Sequence, residues 1–533
     1  RNETQTAQRH VDVNGVLSNE LTEQTRFSRT DVGEIARIES ASNLLLQAGQ
    51  DISLSASNLL AGLDMSLSAG RDINIGSVEE RRKWEEGNTR FTRVEQLMSG
   101  LEVGHSLSLS AERDITISAS SLAAKGDASL TAGNELMLKT ATNDANQYTT
   151  RRNGYDIVQQ REEVGANLSA DNIALRAGSD LAMRAAHVQA EGELAVTAGR
   201  DLLLEAGDAM DYRESYTKES KKKALSKKTT TSHDISEQHM AQATELGGQY
   251  VLLKAQQDMA VKGSNVVGDL GATLLAGRDL NIDTVDLLNR ELHFRETKRS
   301  GLMGSGGIGF TIGKQQQSSD MAGTTQIREG SSVGSIQGDV TLQAGNRLQI
   351  SASDVIAGKD LLLVGKDVAI TSAEQQITRK EEFKSKSGGL TVALTGGAVT
   401  ALQSAYDTVK TSKESSNDRL VALQGAKAAM NGYQAWQGMQ AMANSGGVPD
   451  PSFVGIAISV GNQRSQSNSQ SSETNALTSE LNAGGDITVL AKGDEANGSG
   501  DLIVSGSSIK GQNVTLGAAR DLVLQSAVNS SDS

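Results

Sequence analysis

The chain contains no cysteine among its 533 residues, only two prolines, and only 3% aromatic residues. Without cysteine there is no disulfide framework and no thiolate chemistry, and such a chain suits export through an oxidising space in an unfolded state. Scarce proline favours long stacks of strands, because strands inside a sheet cannot lose backbone donors. No run of 18 or more apolar residues occurs, so no transmembrane helix is predicted.

Positive charge is also scarce, since the formal net charge is −14 at pH 7. This balance argues against a dedicated nucleic-acid binder, and no nucleic acid is expected as a partner. One local exception is residues 212–228, whose centre is Lys221, Lys222 and Lys223. Such a cluster can contact anionic lipid or the phosphate groups of lipopolysaccharide. The alternative is a solvated arm, which is the more common role of a charged run.

What the chain does contain is one phrase that recurs from end to end. Residues 198–204 read Ala-Gly-Arg-Asp-Leu-Leu-Leu, and related copies begin at Ala48, Ala69 and Ala276. Glycine allows a tight turn, the aspartate is expected to cap its own backbone, and a short alternating strand follows. A second turn lies 13 residues after the first. The first turns are 21 residues apart in the pairs Asp51 and Asp72, Asp114 and Glu135, Asp180 and Asp201, Asp258 and Asp279, and Asp339 and Asp360.

A unit of this size cannot bury its own apolar face and has to stack on its neighbours. We therefore predict an all-β chain that forms a right-handed parallel β-helix, a solenoid with rungs of about 21 residues. One side of each strand would face a narrow core and the other would face solvent, which accounts for the alternation. The alternative, several small all-β domains, does not explain a period shared by every block.

Polar, charged or glycine-rich segments interrupt the repeats, and they define the predicted domains. We predict a polar arm or partial rung at 1–34, β-helix blocks over 35–374, a long insertion at 375–477, and a final block at 478–527. Hairpin arms are predicted near 77–102, 141–165, 208–246 and 290–333; in the second of these, Asn-Gly at 153–154 is the favoured two-residue turn. The insertion is predicted to hold two glycine-rich strands and a helix near 419–443, where apolar residues recur at helical spacing.

The glycine-rich strands supply the candidate contact residues. Segments 388–397 and 454–461 approach the 9 to 11 residues of a tilted membrane strand, and their apolar side chains fall on alternate positions, as they do in 306–313. We predict membrane or partner contact there, whereas the alternative is that these arms pack along the rod and cover its apolar surface. The candidates, with the basic cluster, are Ile308, Phe310, Ile312, Leu390, Val392, Leu394, Ile456, Ile458, Val460, Lys221, Lys222 and Lys223.

No catalytic, cofactor-binding or metal-binding residue is predicted. Asp51, Asp72, Asp201 and Asp279 occupy the same turn in successive repeats, which favours a capping role over a catalytic carboxylate pair. Calcium-binding Gly-Gly-x-Gly-x-Asp runs are lacking. The six histidines show no spacing typical of metal ligands.

The recurring phrase resembles the haemagglutinin repeats of the filamentous haemagglutinin family, exoproteins of two-partner secretion in Gram-negative bacteria. The segments at 300–313 and 384–393 are similar to the second haemagglutinin-repeat region of CdiA proteins, the contact-dependent growth inhibition effectors. The resemblance covers essentially the whole chain. Because the chain starts without a signal peptide and lacks a Val-Glu-Asn-Asn motif, we expect an internal segment, to which no toxic activity is assigned.

The resemblance implies a secreted or cell-surface protein, and a non-enzymatic stalk that helps to deliver a carboxy-terminal toxin. It implies the target cell's outer membrane or a surface receptor as partner, and an outer-membrane transporter of the two-partner type. One alternative is a structural adhesin shaft whose arms bind host or bacterial surfaces. A third class is a carbohydrate-active β-helix enzyme with clustered carboxylates.

Overall fold

The computed structural model describes residues 2–3, 26–30, 33–304, 309–395, 455–494 and 498–533. Their regular structure is β-strand, in three sheets. Two sheets consist of short parallel strands and together make a rod, and the third is antiparallel and made by the arms. The predicted parallel β-helix with hairpin arms is confirmed, and its right-handed winding stays a prediction. The helix predicted near 419–443 lies outside the described residues.

Each rung of the rod contributes three strands, one to each of three ladders. Ladder 1 opens the rung, and ladder 2 follows it after a turn; in two rungs, Glu245–Ala255 and Asn265–Ala276 run through both ladders. The other strands of ladder 1 are Ala36–Ser40, Ser57–Ala61, Ser99–Val103, Ser120–Ala124, Asn167–Ala170, His187–Ala190, Ser332–Ser335, Asp354–Ala357, Glu480–Ala483 and Ser508–Lys510. The other strands of ladder 2 are Leu44–Ala48, Met65–Ala69, Leu107–Ala111, Ala128–Ala132, Ile173–Ala177, Glu193–Ala198, Asp339–Ala344, Leu361–Gly365, Ile487–Ala491 and Val514–Ala518.

Ladder 3 follows the turn that holds the Gly-Arg-Asp phrase, and it closes the rung. It is a 12-stranded parallel sheet, so the rod has twelve rungs. Its strands are Ile52–Ser55, Ile73–Gly76, Ile115–Ser118, Leu136–Lys139, Leu181–Arg184, Leu202–Glu205, Met259–Lys262, Leu280–Asp283, Arg347–Ser351, Asp367–Thr371, Leu502–Ser505 and Leu522–Gln525.

The core of the rod is a set of aliphatic columns. Leu67 is paired with Leu109, and Leu109 with Leu130, so buried side chains of successive rungs lie directly above one another. Burial of each leucine contributes about 1.5–3 kcal/mol relative to exposure. The alternate positions of the same strands face solvent, as their burial patterns show. The period-2 pattern therefore selects which side of each strand is stacked into the core.

The Gly-Arg-Asp turn connects neighbouring rungs. Asp180 Oδ1 accepts a hydrogen bond from the backbone N–H of Asp201 at 3.3 Å, and Arg200 Nε donates to the same oxygen at 2.7 Å. The Arg200 guanidinium holds the pKa of Asp180 below its usual range. We predicted that the aspartate caps the backbone of its own turn. Its hydrogen bonds instead join equivalent positions of successive rungs. The same arginine pairing occurs at Asp51 with Arg71, Asp72 with Arg113, Asp258 with Arg278, and Asp501 with Arg520.

The corner between ladder 3 and the next ladder 1 takes two forms that alternate along the rod. In one form a single residue at positive φ turns the chain directly into the next rung. Alanine or glycine occupies it: glycine adopts the left-handed region freely, whereas each alanine bears the strain of an L-residue there. In the other form an arm leaves and returns. The direct corners are Ala56 (φ 45°), Ala119 (41°), Ala185 (45°), Gly263 (56°), Ala352 (43°) and Gly506 (53°).

A buried hydroxyl bridges most of the corners where an arm leaves. Ser331 Oγ donates to the carbonyl of Asp283 at 2.7 Å and accepts from the backbone N–H of Ser264 at 3.2 Å. It thus satisfies a carbonyl of ladder 3 and an amide of ladder 1 across the gap that the arm opens, which is required because buried backbone groups need partners. The equivalent hydroxyls belong to Ser99, Thr244 and Ser479.

The arms pair edge to edge in one 13-stranded antiparallel sheet, which we call the arm sheet. In the described residues, the extensive contacts of the arm strands are with one another, and none of these strands packs along a ladder. The alternative in which the arms cover the rod is therefore wrong for these segments. The strands are Asn2–Glu3, Arg26–Thr30, Val78–Glu86, Thr89–Leu97, Ala141–Arg151, Gly154–Val164, Gly207–Lys223, Ser226–Gln242, Val285–Gly304, Gly309–Glu329, Ala373–Thr395, Gly455–Leu477 and Ser530–Asp532.

Pairing between arms follows from their spacing along the rod. An arm leaves after every second rung, and each complete arm supplies two strands. Because strands lie about 4.8 Å apart both in a sheet and between rungs, two strands of an arm occupy the same height as two rungs. Each arm therefore meets the next with no gap. The arms also lengthen along the chain, from the 9 residues of Val78–Glu86 to the 23 residues of Ala373–Thr395.

Aromatic side chains support the arm sheet, which has no core of its own. Tyr148, Tyr155 and Tyr216 stack with ring centroids 5.8 Å and 5.5 Å apart, and His233 meets Tyr216 edge-on at 5.8 Å. Glu214 accepts hydrogen bonds from the hydroxyls of Tyr155 and Tyr212, both at 2.7 Å. The bond to Glu214 raises the pKa of Tyr155 to about 12. Such cross-strand pairs each contribute roughly 0.2–1 kcal/mol.

Candidate functional site at the arm tips

Exposed apolar side chains meet at the far ends of the longest arms. Val460 is 80% exposed and Ile458 is 69% exposed, although both lie in a regular strand. They belong to a group that we call the apolar tip, contributed by four strands of two neighbouring arms. The apolar tip consists of Leu302, Phe310, Ile312, Leu390, Ile458 and Val460.

Strand register brings these residues onto one face of the arm sheet. Ile312 is paired with Leu390, and Leu390 with Val460, while Leu302 is paired with Ile312 from the other side. Directly opposed residues of antiparallel strands lie on the same face, and residues two apart in a strand share that face. Phe310 and Ile458 therefore extend the same apolar surface. Isolated exposed apolar residues are ordinary, whereas a contiguous apolar patch marks an interaction site.

Some of the predicted contact residues are described only in part. Val392 is paired with Ile458, and Leu394 with Ile456, so their backbone positions continue the rows of the apolar tip. The side chains of Val392, Leu394 and Ile456 lie outside the description, and Ile308 lies outside the described residues altogether.

The segments 388–397 and 454–461 are not separate short strands, as the sequence suggested. Their described residues are the ends of Ala373–Thr395 and Gly455–Leu477, which pair with one another over their full lengths. The stems of these strands are mainly polar, with isolated apolar residues such as Ile377 and Phe383 but no alternating apolar run, so the hydrophobic pattern identified only the ends.

A row of four glycines crosses the arm sheet next to the apolar tip, on its opposite face. Gly301 is paired with Gly313, Gly313 with Gly389, and Gly389 with Gly461. A Cβ atom at Gly313 would lie 2.1 Å from the carbonyl oxygen of Gly388, so a side chain does not fit there. Gly301 has a φ of 95°, which L-residues rarely adopt. The arm sheet thus carries bulky side chains on the face of the apolar tip and a strip without side chains, the glycine row, on the other face.

The predicted lysine cluster lies at the end of a neighbouring, shorter arm. Lys222 is paired with Lys227, and Lys221 with Lys228, across the hairpin Gly207–Lys223 and Ser226–Gln242. The cluster is exposed. It lies beside the strand Val285–Gly304, whose end carries Leu302 of the apolar tip. The two sets of predicted residues, far apart in sequence, therefore belong to one end of the arm sheet.

Sequence reasoning missed Leu302 and the exposed Leu225. The backbone N–H of Leu302 donates to the carbonyl of Leu225 at 2.8 Å, so the next hairpin continues the row. Neither residue lies in an alternating apolar segment, and the only signal was register across three arms.

The carboxylates of the rod turns do not form a catalytic pair. They are engaged by arginines and by backbone amides of the next rung, as at Asp258, which accepts from Arg278 and from the N–H of Asp279. Within the described ranges, no group of three His, Cys, Asp or Glu side chains is arranged to hold a metal ion. In that same part of the chain, no helix has the length and apolar character needed to cross a membrane.

A regular rod that displays a thin sheet of arms defines a class of protein, the β-solenoid shaft. A sequence profile described as Hemagglutinin repeat matches residues 4–91, 85–157, 154–286, 308–433 and 460–533. The chain belongs to this hemagglutinin-repeat family. No solved structure matches it.

Curated relatives match nearly the whole chain. The "tRNA nuclease CdiA" of Escherichia coli strain STEC_O31 is 34% identical over 94% of this chain and 16% of its own length. The "Deoxyribonuclease CdiA" of Dickeya dadantii strain 3937 is 38% identical over 94% of this chain and 15% of its own length. The "16S rRNA endonuclease CdiA" of Enterobacter cloacae is 37% identical over 93% of this chain and 15% of its own length. The chain thus spans about one sixth of these relatives.

Proposed function

We propose that this chain is a non-enzymatic stalk and translocation segment of a secreted contact-dependent inhibition effector. In this proposal the segment engages the outer membrane of a target cell and helps to deliver a carboxy-terminal toxin. Secretion would use an outer-membrane transporter of the two-partner type, and the protein would act at the surface of a Gram-negative bacterium. The similarity to CdiA proteins over nearly the whole chain supports this role.

The observation that carries the proposal is the apolar tip. Its exposed side chains are concentrated at the far ends of the longest described arm strands, in the part of the described arm sheet farthest from the rod. Removing apolar surface from water contributes about 25 cal/mol per Å², so a lipid surface would bind such a group favourably. The arms would then hold the apolar tip at a fixed distance from the rod.

A chimera tests delivery. The segment corresponding to this chain in a CdiA relative is replaced by this chain, and growth inhibition of target cells is measured in co-culture. The variant Ile312→Ser, Leu390→Ser, Val460→Ser is compared with a control that changes exposed serines of the same strands, Ser319→Ala and Ser465→Ala. We expect the tip variant to lose inhibition and the control to retain it. Equal inhibition by both chimeras would contradict the proposal.

The second candidate is a structural adhesin shaft, which the exposed arm sheet favours because it offers a large polar surface on both faces. Binding of the isolated chain to host cells, unchanged in the tip variant, would support this alternative.

A further inference from the structure

Six basic side chains form a belt beside the apolar tip, in two adjoining rows of the arm sheet. In the first row Lys222 is paired with Lys227, Lys227 with Ser300, and Ser300 with Lys314. In the second row Lys298 is paired with Gln316, Gln316 with Lys386, and Lys386 with Arg464. We call this set the basic belt: Lys222, Lys227, Lys298, Lys314, Lys386 and Arg464.

The basic belt shares the face of the apolar tip. Lys314 lies two residues from Ile312 in one strand, and Lys386 lies four residues from Leu390 in the next, so alternation places them on the same side. Ser300, Gly388 and Asn462 belong to the first basic row, and beside their small side chains lies a groove of about 850 Å³ bordered by the basic groups. The groove is therefore continuous with the apolar surface.

The positive charge of the basic belt is poorly neutralised by the protein. Lys298 has an ion pair with Glu296 at 2.8 Å, whereas no carboxylate of the described residues pairs with Lys227, Lys314 or Arg464. Lys222 stands directly opposite Lys227, and Lys386 opposite Arg464. Like charges in such positions are destabilising. Although the net charge of the chain is −14, these positive charges are concentrated in the basic belt, which indicates an anionic ligand.

We propose that the basic belt binds the phosphate groups of anionic membrane lipids while the apolar tip contacts their acyl chains; this rests on the proposed function. At about 3.4 Å per residue, the two basic rows lie about 7 and 14 Å from the row of Leu390. The polar region on each side of a bilayer is about 5–8 Å thick, so the first row reaches the phosphates when the tip reaches the hydrocarbon. The belt makes the contact selective for anionic surfaces.

Vesicle binding by the full chain tests this. Flotation is measured with phosphatidylcholine vesicles and with vesicles that also contain phosphatidylglycerol or lipid A, with and without inorganic phosphate as competitor. We expect the anionic vesicles to bind more tightly, with an excess that disappears in high salt, because Debye screening weakens such attraction. If millimolar phosphate inhibits vesicle binding and the chain shows no preference for anionic vesicles, the basic belt is a site for free phosphate. That result would overturn the proposal.

Charge variants identify the residues. The first-row variant Lys222→Gln, Lys227→Gln, Lys314→Gln is compared with a matched control on the rod, Lys139→Gln, Lys254→Gln, Lys359→Gln, whose lysines are exposed. At about five-fold per basic residue, the belt variant should bind anionic vesicles about 100-fold more weakly and neutral vesicles unchanged. An equal loss in the control would show a general charge effect and contradict the proposal. If the wild-type chain binds neutral and anionic vesicles equally, the belt proposal fails alone; if it binds neither, the proposed function fails as well.

Discussion

The rod and the arm sheet are built from strands of the same chain, yet they are stabilised differently. In the inner rungs of the rod, one side of each strand is buried, and aspartate and arginine side chains connect the turns of neighbouring rungs. In the described arm sheet, burial is confined to positions near the rod such as Ala209 and Leu287. Because the arms contribute little burial, their surfaces can change without cost to the core, which makes them the part suited to contact with a partner.

A matched pair of leucine substitutions tests this difference with the largest expected effect. Leu342 is completely buried in ladder 2, whereas Leu390 is exposed in the arm sheet. Leu342→Ala should lower the free energy of unfolding by about 2–5 kcal/mol, since it removes apolar contacts and leaves a cavity. Leu390→Ala should change it by less than about 0.5 kcal/mol. Denaturant unfolding followed by circular dichroism measures both, and equal effects would contradict the comparison.

The buried hydroxyls should show an intermediate effect. Ser331→Ala leaves the carbonyl of Asp283 and the amide of Ser264 without this partner inside the rod. We expect a loss of about 1–3 kcal/mol in the free energy of unfolding, together with faster amide exchange at Ser264. Ser319→Ala, at an exposed position of the arm sheet, is the control and should be neutral. Normal protection at Ser264 in the Ser331 variant would show that the hydroxyl is dispensable.

Low pH should lower the free energy of unfolding of the rod, because it protonates the aspartates of the turns. This effect should be smaller than that of the serine substitution. Hydrogen bonds from Arg200 and Arg278 lower the pKa of Asp180 and Asp258 in the folded chain. A carboxylate whose folded pKa is lowered stabilises the fold above its unfolded pKa of about 3.9, and this contribution is lost as the pH falls through the folded value. Thermal unfolding between pH 7 and pH 2 should therefore show falling stability below about pH 4. The variant Asp180→Asn, Asp258→Asn should start lower and fall less steeply, and an identical slope would rule out this source.

The rod was predictable from sequence because its information is local and repeated. The Gly-Arg-Asp phrase at 21-residue spacing defined the rung, and Asn153-Gly154 marked the turn of the second arm to within one residue, since the loop is Arg152-Asn153. The arm sheet was not predictable in the same way, because its pairs join arms that are separated by whole rungs. Tyr155 and Tyr216 illustrate this, since no periodicity connects them although their rings stack.

The candidate site was likewise predictable within each strand but not between strands. Alternation identified Phe310, Ile312, Leu390 and Val460 one strand at a time, but their common face depends on register between two arms. The basic belt was recognised only at Lys222 and in the basic stretch around it, for the same reason. Lys314 and Lys386 are single lysines in polar strands, and they become a cluster only when the strands are aligned.

The most direct test of the central claim measures two properties of one variant. In Ile312→Ser, Leu390→Ser, Val460→Ser, three of the six residues of the apolar tip become polar while the rod is unchanged. Unfolding by denaturant and flotation with phosphatidylcholine vesicles are recorded for this variant and for the wild-type chain. The account predicts an unchanged unfolding midpoint and a loss of vesicle binding. Vesicle binding equal to that of the wild-type chain would contradict it.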